Sequence, residues 1–201
     1  MQYTLHMQKK MQQIADIISG YTFRGSIKDE PNGDIFLVQA KNVSAGFDIQ
    51  DKTDLARVSS EGLRNPFFLE HNDIVLVSRG SGSGSFRSTV FVSDKKNVMA
   101  SSSVLVIRTT DVMILPKYLS LYLNSLEGQR ALSQIAIGAS YLQSILVRNI
   151  SELEIPIPSM HTQKSIIALH ENIIEQRRIR ERKREIQEII INASFTKLIK
   201  K

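Results

Sequence analysis

The stretch IPIPSMHTQKSIIALHENI, residues 155–173, changes its structural character at Pro158. Because each proline disfavours a helical backbone in the residue before it, residues 155–158 are predicted to be extended. About forty residues without glycine or proline follow Pro158, and Ser159 supplies a hydroxyl of the kind that caps a helix. The sequence therefore predicts a long C-terminal helix and divides the chain into two parts, residues 1–158 and 159–201.

The predicted helix is too long for one small domain to bury its apolar residues. A helix of ~39 residues at a rise of ~1.5 Å per residue is about 58 Å long. Its apolar residues form two sets that are out of phase by about one residue: Ile166, Leu169 and Ile173, then Ile179, Ile186 and Ile190. The second set in particular is expected to need a partner helix.

Upstream of this helix, the sequence pattern indicates an α+β domain. Apolar residues at helical spacing over residues 8–19, followed by Gly20, predict a short N-terminal helix. Pro116 is well placed in the first turn of another helix. Short β-branched or alternating runs predict strands at residues 35–39, 67–69, 74–78, 86–92 and 104–108. The expected fold is a mixed or antiparallel sheet with flanking helices.

The composition excludes several classes of protein. The 201 residues include no cysteine, which rules out disulfide frameworks, cysteine-ligated zinc, thiol nucleophiles and iron–sulfur clusters. No apolar run approaches the ~18–20 residues that a membrane-spanning helix needs. The first ten residues do not resemble a secretory signal. A cytoplasmic protein without membrane contact is expected.

The positive charge is concentrated in one segment. Residues 163–201 hold ten of the 26 Lys and Arg residues but only five of the 20 Asp and Glu residues. The formal net charge of +6 therefore divides into +5 for this segment and +1 for the other 162 residues. Because non-specific DNA binding depends on positive charge spread over the contact face, the overall charge is weak evidence for DNA binding.

The sequence contains few of the patterns that mark an active site. The four histidines show no metal-ligand spacing, and neither a G-x-S-x-G elbow nor a G-x-x-x-x-G-K-[ST] phosphate loop is present. Asp73 and the run Asp94-Lys-Lys96 fit the loose layout of metal-dependent nucleases, in which carboxylates hold Mg²⁺ and a lysine orients water. A charged turn between two strands is the better interpretation of the same residues.

The segment RGSGSGSFR, residues 79–87, is the strongest candidate for a contact loop. It places two arginines around small residues with hydroxyl groups. Arginine can hold a guanine edge or a phosphate through two hydrogen bonds, and serine hydroxyls and backbone N–H groups bind phosphates. On composition alone, a mobile hairpin is as good an interpretation as a DNA-binding loop.

Several short motifs together resemble a known family. They run from Pro116-Lys-Tyr-Leu119 and Leu123-Asn-Ser125 through Gly128-Gln-Arg130 to Ile155-Pro-Ile-Pro158 and Gln163-Lys-Ser-Ile-Ile167. In this order and spacing they are similar to the specificity subunits of type I restriction-modification enzymes. Three further segments resemble the start and middle of that family's target recognition domain: Ile14–Gly20, Ala40–Val43 and Asn72–Arg79.

The resemblance implies a non-catalytic subunit that recognises double-stranded DNA and binds methyltransferase subunits, together with a restriction subunit in complete systems. S-adenosylmethionine, and ATP with Mg²⁺, would be bound by those partners, so this chain is expected to hold no cofactor and no metal. Family members usually carry two target recognition domains and two helices that pair as an antiparallel coiled coil. This sequence has one of each, which implies a half-length subunit.

The half-length form implies a homodimer, formed through the apolar residues of the C-terminal helix, that reads a bipartite, inverted-repeat DNA site. The expected DNA-binding residues are Arg79, Ser81, Ser83, Ser85 and Arg87, with Arg24, Lys41, Asn42, Tyr141 and Gln143 as secondary candidates. Two competing hypotheses stay open. One is a coiled-coil interaction or inhibitor protein that does not bind DNA, and the other is an Mg²⁺-dependent nuclease.

Overall fold

The computed structural model describes residues 7–81, 84–139 and 142–199. Contacts within the chain divide it into two compact units, with the boundary between Lys164 and Ser165. The strands are β1 (Met7–Lys10), β2 (Ala15–Ser19), β3 (Ile35–Val38), β4 (Ala56–Val58), β5 (Ile74–Val77), β6 (Arg79–Gly80), β7 (Ser88–Val90), β8 (Val98–Ala100), β9 (Val104–Thr109), β10 (Ile137–Ala139), β11 (Leu142–Ser144) and β12 (Glu154–Ile157). The helices are α1 (Pro116–Asn124), α2 (Leu126–Ile135), α3 (Val147–Ser151) and α4 (Met160–Ile199).

An antiparallel sheet with strand order β2-β9-β5-β7 carries much of the core of the first unit. All four residues of β5 are buried, which explains why this strand is a continuous apolar run in the sequence and not an alternating one. Helix α1 is fixed to β7 by polar groups. The side chain of Asn124 accepts a hydrogen bond from the Ser88 amide and donates one to the Ser88 carbonyl.

A second sheet has the order β4-β3-β8, and it makes the domain mixed. Strand β3 pairs antiparallel with β4 and parallel with β8. Apolar residues from all three strands of this sheet form a buried cluster: Ile35, Leu37, Val58 and Met99. The predicted α+β class, with a mixed sheet region followed by a long C-terminal helix, is confirmed.

The predicted N-terminal helix over residues 8–19 is wrong. Strand β1 pairs with β12, and β2 pairs with β9 over five residues, from Ala15 opposite Thr109 to Ser19 opposite Leu105. Only a 3-10 turn, Met11–Gln13, lies between the two strands. Gly20 is not a helix cap, because it follows a strand. Glycine is needed there because a Cβ atom would lie 2.0 Å from the carbonyl oxygen of Ser101. Long-range strand pairing therefore outweighs the helical spacing of the isoleucines.

Most other elements agree with the sequence pattern. Helix α1 begins at Pro116, and the extended segment before Pro158 is strand β12. The strands predicted near residues 35, 74, 88 and 104 are present. The strand predicted at residues 67–69 is wrong, since Phe68 makes only an isolated bridge to Met99.

Gln163 anchors the first turn of α4 and is completely buried. Its Oε1 accepts a hydrogen bond from the amide of Leu115 at 2.9 Å. Its Nε2 donates to the carbonyl oxygens of Met113 at 2.8 Å and Pro158 at 3.0 Å. The hydroxyl of Ser159 accepts from the amide of Thr162, as the sequence predicts for a helix cap. One buried amide group thus joins the segment before α1 to the segment before α4.

The second unit, residues 165–199, is the exposed remainder of α4. Most of its large apolar side chains are exposed. Ion pairs within it join Glu175 to Arg178, Arg182 to Glu185 and Arg184 to Glu188. Exposed pairs of this kind stabilise a helix only weakly. Within the described part of the chain, no helix is both long enough and apolar enough to span a membrane.

Replacement of Gln163 by alanine is expected to lower the free energy of unfolding by about 1–3 kcal/mol, because it leaves the buried amide of Leu115 without its acceptor. Denaturant titration followed by circular dichroism measures this change. Gln8→Ala, at an exposed position of β1, is the matched control and should leave stability unchanged. Equal stability of both variants would contradict the structural role of Gln163.

Candidate nucleic-acid interface

A third sheet brings together two of the sequence-predicted site residues from distant parts of the chain. It has the order β10-β11-β6, with Arg79 opposite Ser144 and Gly80 opposite Gln143. Arg79 is exposed and Gln143 is half-buried. The predicted loop residue Arg79 and the secondary candidate Gln143 therefore lie on neighbouring strands of the same small sheet.

The loop after β6 is shaped by its small residues. The hydroxyl of Ser85 donates a hydrogen bond to the carbonyl oxygen of Ser81 at 2.6 Å. A Cβ atom at Gly80 would lie 2.3 Å from the Cβ of Ser85, and Gly84 has a φ of +79°. Both glycines are thus needed for the close approach and the turn. The predicted DNA-binding residues Ser83 and Tyr141 lie outside the described residues.

A cavity of about 300 Å³ lies beside this sheet, and we call it the Arg79 cavity. Besides Arg79 and a set of apolar residues, it is lined by hydroxyl-bearing side chains, among them Ser19, Thr22, Ser102 and Ser144. A guanidinium group among hydroxyl groups can bind phosphate oxygens or the acceptor edge of a base. The combination of arginine and hydroxyl groups expected of residues 79–87 is therefore present, but Arg79 is the contribution of that segment and the hydroxyl groups come from other segments.

A second cavity, of about 440 Å³, adjoins the first at Thr22, which lines both, and we call it the Arg24 cavity. Its basic residues are Arg24, Lys28 and Arg64, and its acidic residues are Glu30 and Glu61. The rings of Tyr21 and Phe23 also line it and meet edge to face, with centroids 4.9 Å apart. Aromatic faces beside cations are suited to contact with nucleic-acid bases and backbone.

Sequence reasoning identified Arg24 but missed Lys28 and Arg64. These two residues are ordinary surface cations in the sequence, and Arg64 is far from Arg24 along the chain. They share a cavity only because residues 58–64 fold beside residues 21–30. We refer to Arg24, Lys28, Arg64 and Arg79 together as the Arg79–Arg24 surface. Gln143 lines neither cavity, and because it is paired with Gly80 it lies on the face of the small sheet opposite to Arg79.

Two other sequence-predicted residues have structural partners. The side chain of Asn42 accepts from the amide of Gln39 and donates to the carbonyl oxygen of Asp54. Arg87 donates from Nε to the carbonyl oxygen of Val43 at 3.1 Å and from Nη2 to that of Ala40.

Both side chains therefore stabilise the 3-10 turn Ala40–Asn42, on which Lys41 is exposed. These contacts favour a structural role for Arg87 and Asn42 over contact with DNA. They also separate the two arginines of the loop, because Arg79 is exposed on β6 while Arg87 is held against the backbone.

The residues of the nuclease hypothesis do not form a metal site. Asp73 is 1% exposed, and its two carboxylate oxygens accept hydrogen bonds from Nε and Nη2 of Arg108, each at 2.8 Å. Hydrogen bonding to Asp73 raises the pKa of Arg108. Within residues 7–81, 84–139 and 142–199, no group of three or more His, Asp or Glu side chains is placed to hold a metal ion.

Asp94 contributes to a turn. Its backbone amide donates to the carboxylate of Asp51, which also accepts a hydrogen bond from the Ser93 hydroxyl. The bond from Ser93 and then the bond from the Asp94 amide lower the pKa of Asp51. These contacts support the charged-turn interpretation of residues 94–96.

Residues 6–189 match the family model described as "Type I restriction modification DNA specificity domain". This match covers most of the chain. The chain belongs to this family. The resemblance of its short motifs to specificity subunits is thereby confirmed, and no curated protein sequence matches the chain.

Solved structures of specificity subunits share the fold of this family member. The S subunit of a type I restriction-modification system from M. genitalium is 18% identical, with a TM-score of 0.51 over 84% of this chain and 39% of that one. The HsdS subunit from Thermoanaerobacter tengcongensis is 18% identical, with a TM-score of 0.54 over 87% and 38%.

A third similar structure was solved in work on complex assembly and conformational transition of the type I R-M system. It is 18% identical, with a TM-score of 0.59 over 85% of this chain and 38% of that one. The chain therefore spans about two fifths of the length of the solved chains that it matches.

The different environments of the two loop arginines predict different effects on stability. Arg87→Ala removes charged hydrogen bonds to two backbone carbonyls and should lower the free energy of unfolding by about 1.5–3 kcal/mol. Arg79→Ala, at an exposed position, should change it by less than about 0.5 kcal/mol. Thermal melting of both variants measures the difference. A larger loss for Arg79→Ala would contradict this division of roles.

Proposed function

We propose that this chain is the sequence-specific DNA-recognition subunit of a type I restriction-modification complex, in a half-length form with one target recognition domain and one long helix. The observation that carries the proposal is the Arg79–Arg24 surface. It combines exposed basic side chains with two adjoining cavities, which are lined in part by hydroxyl groups and aromatic rings.

Each part of this surface fits a task in reading duplex DNA. Arginine can form two hydrogen bonds with the edge of guanine. Serine and threonine hydroxyls can bind phosphate oxygens and so fix the register of the protein on the duplex. Arg79 is the side chain that we assign to bases, while Arg24, Lys28 and Arg64 supply positive charge along the DNA backbone.

The remaining parts of the proposal follow from membership of the family. The chain itself is proposed to be non-catalytic and cytoplasmic, without membrane contact, and to act by binding methyltransferase subunits, with a restriction subunit as a further partner. S-adenosylmethionine, and ATP with Mg²⁺, would be bound by those partners and not by this chain.

A homodimer formed through α4 is the arrangement that we propose for the half-length chain. Leu169 is 64% exposed and Ile190 59% exposed, so a continuous helix carries apolar side chains that are not covered within one copy. Covering them with a second copy gives a two-fold axis and two identical recognition domains. Two identical domains related by a two-fold axis would read an inverted repeat with an unread spacer.

The same exposed helix also supports a second candidate function, an interaction or inhibitor protein that does not bind DNA. Apolar residues on a long helix are what such a protein would use to contact a partner. Duplex DNA distinguishes the two functions. DNA recognition predicts an affinity that falls steeply with salt concentration, whereas an interaction protein should show no such affinity.

Arg79→Ala is expected to weaken the binding of the methyltransferase complex to its DNA site by about 1–3 kcal/mol, or about 5–150-fold. Arg130→Ala, at an exposed position of α2, is the matched control and should leave binding unchanged. Fluorescence anisotropy with duplexes that differ at single positions measures the effect. Loss of discrimination at one position supports base contact, equal weakening on every duplex supports phosphate contact, and no weakening contradicts the assignment.

Methylation in cells tests the symmetry of the proposed site. Cells that express this chain with its methyltransferase subunit should carry a methylated motif that is bipartite and an inverted repeat. Cells that lack the chain should lose this methylation. Methylome sequencing of the two strains makes the comparison, and a single asymmetric, contiguous motif would contradict the homodimer.

A further inference from the structure

We infer that Arg87 is a positioning residue for DNA binding: it fixes the 3-10 turn Ala40–Asn42, here called the Lys41 turn, so that Lys41 contacts a phosphate of the DNA backbone. Arg87 itself does not touch DNA in this arrangement and acts only through Lys41. The inference rests on the proposed function and deepens it, because neither residue lines the two cavities of the Arg79–Arg24 surface.

The Lys41 turn is joined to the segment that bears Arg79 through a single residue, Ser103. The hydroxyl of Ser103 accepts a hydrogen bond from the amide of Ala40 at 3.1 Å. Its carbonyl oxygen accepts one from the amide of Ser78, directly before Arg79, at 3.0 Å. Ser103 therefore holds the start of the Lys41 turn beside the start of β6.

The residue before Ser103 belongs to the wall of the cavities. Ser102 lines the Arg79 cavity, and its amide donates a hydrogen bond of 2.8 Å to the carbonyl oxygen of Tyr21, which lines the Arg24 cavity. Because Ser102 and Ser103 are neighbours in the chain, the Lys41 turn lies beside the Arg79–Arg24 surface. One DNA duplex can therefore contact Lys41 together with the cations of that surface.

Arg87 holds the Lys41 turn from both sides of Lys41. Its Nε donates a hydrogen bond of 3.1 Å to the carbonyl oxygen of Val43, and its Nη2 donates a longer one, of 3.5 Å, to that of Ala40. Hydrogen bonds from a charged donor are stronger than those between neutral groups. The guanidinium group thus fixes the backbone on either side of Lys41 and directs two of its N–H groups to the protein itself.

Asn42 provides a second, uncharged hold on the same turn. Its Oδ1 accepts a hydrogen bond from the amide of Gln39, and its Nδ2 donates one to the carbonyl oxygen of Asp54, each at 2.9 Å. The backbone on both sides of Lys41 is therefore held by side chains, which reduces the conformational freedom that Lys41 would lose on binding a phosphate.

Lys41 differs from other lysines of the first unit in having a free ammonium group. Lys9, Lys10 and Lys117 each pair with a carboxylate. Lys41 is exposed, and among the described residues no carboxylate forms such a pair with it. A lysine ammonium group binds phosphate as a point charge. Lys41 is therefore the side chain of this turn that is available to DNA.

The salt dependence of DNA binding tests the role of Lys41. Each phosphate that a protein neutralises contributes about 0.9 to the slope of log affinity against log salt concentration. Fluorescence anisotropy of the complex with its methyltransferase subunits, at several salt concentrations, measures this slope. Lys41→Ala should reduce the slope by about one and weaken binding equally on every duplex. Lys41→Arg keeps the charge and should keep the slope.

Lys96→Ala is the matched control for loss of one exposed lysine. The carbonyl oxygen of Asn97, the next residue, accepts a hydrogen bond from the amide of Phe36 near the start of β3, whereas Lys41 follows the end of that strand. Lys96→Ala should therefore leave the slope unchanged. An unchanged slope for Lys41→Ala, or an equal reduction for Lys96→Ala, would overturn the assignment of Lys41.

A double-mutant cycle tests whether Arg87 acts through Lys41. Arg87→Ala should reduce the slope about as much as Lys41→Ala does, and the double variant should reduce it no further. A further reduction of about one in the double variant would show that Arg87 binds a phosphate itself. That result, or a full slope for Arg87→Ala alone, overturns the positioning role.

Asn42→Ala keeps the test decisive if Arg87→Ala does not fold. It changes no charge, yet it should reduce the slope because it releases the same turn; a full slope would count against the inference. Gln163→Ala is the control for lost stability, since it removes buried hydrogen bonds at the start of α4 and should keep the slope.

The unsubstituted complex separates failure of this inference from failure of the proposed function. If it shows no salt-dependent affinity for duplex DNA, the proposed function and the inference fall together. If it binds DNA with a steep slope that Lys41→Ala does not change, the inference alone is wrong. A steep slope that Lys41→Ala and Arg87→Ala reduce equally and non-additively supports both.

Discussion

The hydrogen bonds of the buried Gln163 side-chain amide are the interaction on which the starts of α1 and α4 depend. This amide binds the backbone of Leu115, directly before the first residue of α1, and that of Pro158, two residues before the first residue of α4. Pro116 is the first residue of α1, and Pro158 lies between the end of β12 and the start of α4. The Gln163 side chain pairs with the amide of Leu115 and with the carbonyl oxygens of Met113 and Pro158. The motifs around Pro116, Pro158 and Gln163, distant in sequence, therefore act at one place in the fold.

The Arg79–Arg24 surface depends on a different constraint, which is close backbone approach. Gly80 allows the loop to return against Ser85, and Gly20 allows β2 to run beside Ser101. A Cβ atom at Gly20 would lie 2.0 Å from the carbonyl oxygen of Ser101, and one at Gly80 would lie 2.3 Å from the Cβ of Ser85, both well inside van der Waals contact. Glycines thus fix the segments that bear Thr22, Arg24 and Arg79, so that exposed cations and hydroxyl groups lie along two adjoining cavities.

The long helix α4 differs from the rest of the chain because most of its large apolar side chains are exposed. Exposed apolar side chains alone would allow several ways of pairing with a second helix. Residues 163–201 also hold +5 of the formal net charge of +6, which explains why the net charge of the whole chain is a poor guide to DNA binding.

The sequence by itself determined the elements whose boundaries are local. Proline and serine chemistry located the starts of α1 and α4, and the length of α4 followed from the absence of glycine and proline. The family followed from the order of short motifs. Tertiary structure alone decided that residues 15–19 are a strand, because pairing with β9 overrides helical spacing. It also decided that Arg87 binds backbone carbonyls while Arg79 is exposed, and that Arg64 shares a cavity with Arg24. These outcomes depend on contacts between residues far apart in the chain, and a local pattern of residues cannot predict such contacts.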